Sequence, residues 1–381
     1  VRFHFDAPSL PASTAALRAA TREFLRDELA AQRFVPLSNG WMRFDAGFTL
    51  RCAAAGFVGM TFPPEYGGQG RTALERYIVY EELLAAGAPL GAHWIADRQS
   101  GPQVLRHGSD AARRTLLPAI AAGRCSVGIG MSEADAGSDL AAVRTRGTRC
   151  EGGWRLTGTK LWSSHAHQAH YMIVLARTAP LGAHRHSGLT QFIVDTSAEG
   201  YTANPLQDLA GGRDFNEIVL DEVFVPDAHV LGAPGEGWKL VTGELAFERS
   251  GPDRFLSSFP LLLELLRAPS LAAAPDAPAR IGRLFAHVAT LRRMSMAVAG
   301  MLDRGLAPSV EAAIVKDLGT AFEREIPEIA RLLAPVAADA SSADAYAAGL
   351  AVATLTAPSY TLRGGTREIL RGIVARELGL R

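Results

Sequence analysis

The chain has 381 residues, enough for two or three domains with hydrophobic cores of their own. Hydrophobic residues make up 48% and charged residues 20%, an ordinary globular composition, and the 39 basic residues balance 39 acidic ones. That balance excludes the strong net charge by which a chain seeks nucleic acid or an anionic membrane surface.

No apolar run reaches the ~18 residues that a membrane-spanning helix needs. The segment Val1-Arg-Phe-His-Phe-Asp6 lacks the apolar stretch of a signal peptide. Cys52, Cys125 and Cys150 are widely spaced with no paired motif, and read as reduced, partly buried thiols. A cytoplasmic location is the expectation.

Residues 11 to about 120 carry helical patterns, with Leu17, Phe24, Leu25 and Leu29 at three- and four-residue steps along one face. Phe62-Pro-Pro-Glu-Tyr-Gly-Gly68 interrupts them with turn residues. A helix pattern resumes at Thr72 and runs through Ile78-Val-Tyr-Glu-Glu-Leu-Leu84, and Leu116-Leu-Pro-Ala-Ile120 closes the region. From about 124 the period shortens. Cys125–Ile129, Trp154–Thr157, Tyr171–Leu175, Leu189–Val194 and Ile218–Leu220 read as short strands between Gly, Asp and Ser clusters. Helices return after Gly235: one from Trp238 to about Leu266, then Pro278–Leu302, Pro308–Leu333 with Pro327 inside it, Ala343–Thr356 and Thr366–Leu378. The expected fold class is α+β, in the order helices, strands, helices, divided at 1–122, 123–233 and 234–381.

Two segments carry chemistry. Met131-Ser-Glu-Ala-Asp-Ala-Gly-Ser-Asp139 offers hydroxyls, a glycine and backbone N–H groups, which suit a carbonyl-rich ring edge and a pyrophosphate. Gly158-Thr-Lys-Leu-Trp-Ser-Ser164 offers an indole face and two hydroxyls on a strand-like stretch. Together they resemble the flavin cradle of the acyl-CoA dehydrogenase family. Tyr66-Gly-Gly68 resembles that family's early turn. Val223-Phe-Val-Pro226 resembles its strand leading into the C-terminal bundle. Gly364-Gly-Thr-Arg-Glu-Ile-Leu-Arg371 with Ile373-Val-Ala-Arg376 resembles its last-helix signature. The resemblance spans nearly the whole chain.

It implies an N-terminal helical domain, a β-barrel-like middle domain and a C-terminal helical bundle holding FAD. Met131, Ser132 and nearby backbone would hold the pyrimidine end of the flavin, and Gly137 and Ser138 the pyrophosphate. Trp162 would cover the ring face, Ser164 would meet its N5 edge, and Thr366 would approach from the last helix. The proline usual after the motif glutamate is Ala134 here. Glu133, Asp139 and Glu368 read as turn, cap and helix-surface residues.

The implied reaction is α,β-dehydrogenation of an acyl-CoA or acyl-carrier thioester to the trans-2-enoyl product, with electrons passing to an electron-transfer flavoprotein. It needs a carboxylate base, and burial raises a carboxylate's pKa and makes it stronger. In many family members this Glu immediately precedes the Gly-Thr of the last-helix motif, where this chain has Gly364. Three readings stay open: no catalysis, different flavin chemistry, or a base from elsewhere. Isovaleryl- and long-chain-like members take the base from the first bundle helix, which falls on Glu248. Arg249 follows it, and Glu244, one turn earlier, is the backup. Gly364 retains a backbone N–H able to polarise the thioester carbonyl.

The Arg-x-x-Phe-Gly and Gln-x-x-Gly-Gly-x-Gly motifs, which reach a neighbour's FAD in many members, are missing, with Arg280 and Arg283 near the first position. A homo-oligomer with a different clamp and a hetero-oligomer, as in some bacterial steroid-degrading relatives, both fit. So do a flavin monooxygenase or oxidase on this fold and a non-catalytic subunit. His165, His167 and His170 cluster without a neighbouring Cys, Asp or Glu, so no metal is expected. His184 and His186 read as solvated. The small residues of Ala85-Ala-Gly-Ala-Pro-Leu-Gly91 are expected to leave room for a branched or ring-bearing acyl group.

Overall fold

The computed structural model describes residues 3–180, 182 and 184–380, with side chains except those of residues 245–247. Val1 and Arg2 of the N-terminal segment, and Arg381, lie outside the described residues. Among the described residues, five helices come first: α1 (Thr14–Ala30), α2 (Ala46–Ala54), α3 (Ala73–Ala85), α4 (Gly101–His107) and α5 (Asp110–Ala121). Among the described residues, eight strands follow: β1 (Val127–Gly130), β2 (Arg146–Cys150), β3 (Gly153–Ser164), β4 (Tyr171–Arg177), β5 (Leu189–Asp195), β6 (Tyr201–Leu206), β7 (Phe215–Pro226) and β8 (Val230–Leu231). The chain ends in α6 (Gly237–Arg249), α7 (Phe259–Arg267), α8 (Ala277–Asp303), α9 (Ser309–Leu333), α10 (Ala345–Tyr360) and α11 (Arg367–Glu377). No helix among the described residues is long and apolar enough to cross a membrane.

Two compact units are woven from this order. The first comprises Val1–Met42, Thr72–Pro89 and Ala246–Arg381, the second Arg43–Arg71 and Leu90–Leu245. In the first, Leu74, Tyr77 and Ile78 of α3 pack on Met296 and Ala299 of α8, and Val298 of α8 meets Ala312 and Val315 of α9. A capping box starts α3: Glu75 N donates to Thr72 Oγ1 at 3.1 Å and Thr72 N donates to the Glu75 carboxylate at 2.9 Å. On α1, Leu25 is buried, but Leu29 is 37% exposed and departs from the expected face. The buried position in that turn goes to Glu28, paired with Arg33 at 2.7 Å.

The expected single helix from Trp238 to Leu266 is two. Gly251 is extended (φ −67°, ψ 160°) and a 3-10 turn spans Pro252–Arg254 before α7. Pro252 has no N–H to continue the ladder and disfavours a helical conformation in the residue before it. By contrast, α9 continues through Pro327.

The second unit is organised by one sheet, β6-β7-β3-β2-β4-β5-β8, with β1 pairing β4 in parallel. The sheet is open, which corrects the barrel-like expectation: among the described residues no ladder joins β6 to β8. The two-residue β8 is paired only along Gln191 and Phe192 of β5. Its core joins Leu156, Met172, Val174, Phe192, Ile218 and Val223. The long β3 pairs antiparallel with β7 and carries two register shifts, between Leu156 and Gly158 and between Lys160 and Ser163. The second shift positions the site.

Candidate active site

In the second unit, the loop after β1 and the end of β3 are tied together. Leu161 N donates to Ser132 O at 2.8 Å. Lys160, fully buried, donates to Met131 O at 3.1 Å and to Glu133 at 2.8 Å. Glu133 also accepts from the N–H groups of Arg144 and Thr145 and from the Thr145 hydroxyl. Burial works against the Glu133 charge, but Lys160, Thr145 and Arg144 outweigh it and hold the carboxyl below its usual range. Burial pushes Lys160 down to about 8 against the pull of Glu133. Both are therefore charged at neutral pH, and Glu133 is an anchor. Gly158 permits this packing, since a Cβ there would stand 2.6 Å from Thr145 Oγ1.

Past this anchor the β-bulge turns a ring outward. Trp162 has φ 62°, left-handed for a bulky residue, and is 61% exposed with Phe215 edge-on at 6.2 Å. Such strain costs about 1–3 kcal/mol and collects at ligand sites. Ser164 is half-buried at the strand end, Met131 and Ser132 are half-buried in the loop, and Gly137 and Ser138 are exposed. A Cβ on Gly137 would meet nothing within 4 Å, so this stretch of backbone is open to a ligand. An outward indole beside an open loop of hydroxyls and N–H groups fits a flat, polar-edged ring system with an anionic tail, as a flavin dinucleotide has. Asp139 is ion-paired with Arg185.

In the first unit, Glu248 and Arg249 end α6. Arg254 Nη2 donates to Glu248 Oε1 at 2.8 Å, and the same guanidinium donates twice to Glu248 O, at 3.0 and 2.9 Å. It also pairs with the fully buried Asp253 at 3.1 Å. Burial alone would lower the Arg254 pKa, but Asp253, Glu248 and Glu323 hold it above its usual value. Arg249 is buried and donates through Nε to Gly364 O at 3.1 Å. Gly364 (φ 67°) and Gly365 (φ 98°) form the turn into α11, and Thr366 caps that helix, accepting from Ile369 N at 3.5 Å.

The Glu248 carboxylate lies over Gly364. A Cβ built on Gly364 would overlap Glu248 Oε1 and stand 3.0 Å from Lys316 Cε. Gly364→Ala is therefore expected to displace the carboxylate while the fold holds. Displacements of about 1 Å cost roughly 100-fold in rate. A crystal structure of Gly364→Ala checks the displacement, and a carboxylate that has not moved would overturn it.

Glu244 belongs to the second unit, where it accepts from Gln103 at 2.9 Å and from Gln99 at 3.5 Å while 7% exposed. Glu368 is exposed, as read from the sequence. Arg280 pairs with Asp276 and Arg283 with Glu325, all within the first unit. Strand β3 ends at Ser164, so His165, His167 and His170 occupy the following turn rather than a strand, each with a different environment. His165 faces Asp214 at 3.8 Å, His167 meets Asn216 at 2.7 Å and His170 meets Ser126 Oγ at 2.9 Å. Among the described residues no group of three or more His, Cys, Asp or Glu is placed to hold a metal. His184 and His186 are exposed, and His186 stacks on Trp238 at 4.0 Å. Gly87 takes its small size from Leu37, whose backbone N would lie 2.7 Å from a Cβ there. Cys52 and Cys125 are buried, and burial pushes the Cys125 thiol up to about 12.

Three residues were missed in the sequence: Lys160, Arg254 and Lys316. Lys160 lies within the segment Gly158–Ser164, where its neighbours in sequence give it no partner. Lys316 interrupts the apolar stripe Ala312, Val315, Gly319 of α9, a signal that a lysine is buried there. Arg254 gave none.

Comparison with known proteins follows the same plan. Residues 11–124 match the acyl-CoA dehydrogenase N-terminal domain, 128–223 the middle domain and 268–379 the C-terminal domain. Acyl-CoA dehydrogenase FadE34 of Mycobacterium tuberculosis is 32% identical over 336 residues, covering 86% of this chain, which spans only 45% of that relative's length. Acyl-CoA dehydrogenase IpdE1 of the same organism is 31% identical over 380 residues, covering 95% of this chain and 97% of the relative. The solved structure named Tcur3481-Tcur3483 steroid ACAD superposes with a TM-score of 0.87 at 26% identity, covering 98% of both chains.

Proposed function

Because this chain belongs to the acyl-CoA dehydrogenase family, we propose that it is an FAD-dependent enzyme that dehydrogenates an acyl thioester between its α and β carbons. The observation that carries this reading is the Glu248 carboxylate lying where a side chain on Gly364 would be. Position 364 is where many family members bear the base, so α6 delivers a carboxylate to the place that the glycine vacates.

Met131, Ser132, Gly137 and Ser138 would hold the cofactor along one edge, with Trp162 and Ser164 at its ring. Bound FAD supplies a two-electron acceptor for the hydride of the β carbon. Glu248 takes the α proton, held in one rotamer by Arg254. Arg249 holds the carbonyl of Gly364 in the turn, and the Gly364 N–H polarises the thioester carbonyl. The carbonyl polarisation makes the α proton acidic enough for a carboxylate to remove.

The division at 1–122, 123–233 and 234–381 is part of this reading, and the three domain matches support it. CoA is the proposed thioester carrier and an electron-transfer flavoprotein the proposed acceptor. The paired name of the steroid ACAD supports assembly with a second, non-identical subunit and a steroid side chain as the acyl group. The test is the visible spectrum of the flavin-loaded protein under anaerobic conditions, titrated with a panel of acyl-CoAs. Bleaching of the flavin band by steroid acyl-CoAs supports the reading. No bleaching by any thioester, with or without a candidate second subunit, sinks it, and rapid oxygen uptake without bleaching favours an oxidase or monooxygenase.

A further inference from the structure

The reading of Glu248 as base gives no task to the lysine that approaches the same glycine. Lys316 stands on α9 with no exposed surface. A fully enclosed lysine is costly unless its charge is engaged. Its ammonium donates to Gly365 O at 2.7 Å. Its Cε approaches Gly364 on the same side as the Glu248 carboxylate, for both would crowd a Cβ built there. The adjoining carbonyl, Gly364 O, accepts from Arg249 Nε at 3.1 Å.

Two consecutive carbonyls of the turn are thus held by two cations from two helices. Peptide groups are planar and trans, so a pinned oxygen fixes the direction of the N–H on the far side of the same group. Arg249 in this way sets the Gly365 N–H, and Lys316 sets the Thr366 N–H. The pins matter because both residues are glycines with positive φ, 67° and 98°, and glycine crosses between backbone regions with little hindrance. Neutralisation of Glu248 does not require Lys316, since Arg254 already pairs with that carboxylate at 2.8 Å.

We propose that Lys316, as an ammonium, is a positioning residue that locks the Gly364–Gly365 turn against the Glu248 carboxylate and so presents base and turn to the thioester as one rigid edge. The inference rests on the base reading above. The charged groups around the ammonium are Arg254, Glu248, Arg363 and Arg249, with Asp253 and Glu323 behind on Arg254 (3.1 Å) and Arg363 (3.5 Å). Burial lowers Lys316 to about 7, the three arginines add to the effect and Glu248 opposes it. The ammonium is therefore present at acid pH and lost as pH rises through about 7.

The experiment is stopped-flow flavin reduction of the holoenzyme by a bleaching acyl-CoA across about pH 6–9, for the wild type, Lys316→Met and Glu248→Gln. The wild type should slow on the alkaline side. Lys316→Met should lose that limb and run roughly 100-fold slower with KM little changed, while retaining flavin and melting temperature. A Lys316→Met enzyme with wild-type rate and profile overturns the inference while leaving Glu248 in place. Wild-type reduction in Glu248→Gln overturns the base reading and this inference with it. Should Lys316→Met lose its flavin, Lys316→Gln and the wild-type profile decide, and a flat wild-type profile overturns the proposal.

Discussion

Glu248→Gln should keep its flavin and its melting temperature yet reduce that flavin about 100- to 10,000-fold more slowly, the range a positioned general base contributes. The substitution preserves shape and one acceptor oxygen for the Arg254 bond, but an amide cannot take a proton at neutral pH. The loss should fall on the limiting reduction rate and leave substrate affinity nearly intact, because the missing interaction belongs to the transition state. Glu244→Gln is the companion. Glu244 is engaged by two glutamine amides in the second unit, so its replacement should alter packing more than rate. A fast Glu248→Gln enzyme with a dead Glu244→Gln enzyme would transfer the role to the backup.

Arg254→Met should lower stability by about 3–5 kcal/mol, the usual cost of removing one member of a buried ion pair. The guanidinium is 3% exposed and serves Asp253, the Glu248 carboxylate and the Glu248 carbonyl at once. Two carboxylates lose their shared cation in one step, at the point where α6 has ended and the chain must turn. Denaturant unfolding of the flavin-loaded protein measures it. Arg254→Lys should recover only part of the loss, since a single ammonium cannot reproduce a fork with three separate acceptors. A change below about 1 kcal/mol would show this cluster to be no more than a surface-like pair.

Much of the molecule was determined by the sequence alone. Apolar spacing placed α3, α8, α9 and α11 and strands β4 and β5 within a few residues, because one-sided burial imposes its period directly on the chain. The segments at 131–139 and 158–164 carry the family's resemblance in their order and spacing, which is a property of the chain alone. The gap at Gly364 and the carboxylate at Glu248 were legible as separate facts.

Tertiary structure decided the rest. That the carboxylate fills the space over the glycine is a contact across more than a hundred residues, which no local pattern encodes. The outward turn of Trp162 depends on a bulge set by the β3–β7 register, a property of two strands and not of one. The supposed long helix after Trp238 divides at Pro252, where backbone sterics outweigh an apolar spacing that continues into α7. Lys160 and Arg254 carry no local sign of burial in the sequence, and Lys316 carries one only in the apolar stripe that it interrupts. Only the fold shows them buried, and a charge withdrawn from water must be matched by partners that distant elements supply.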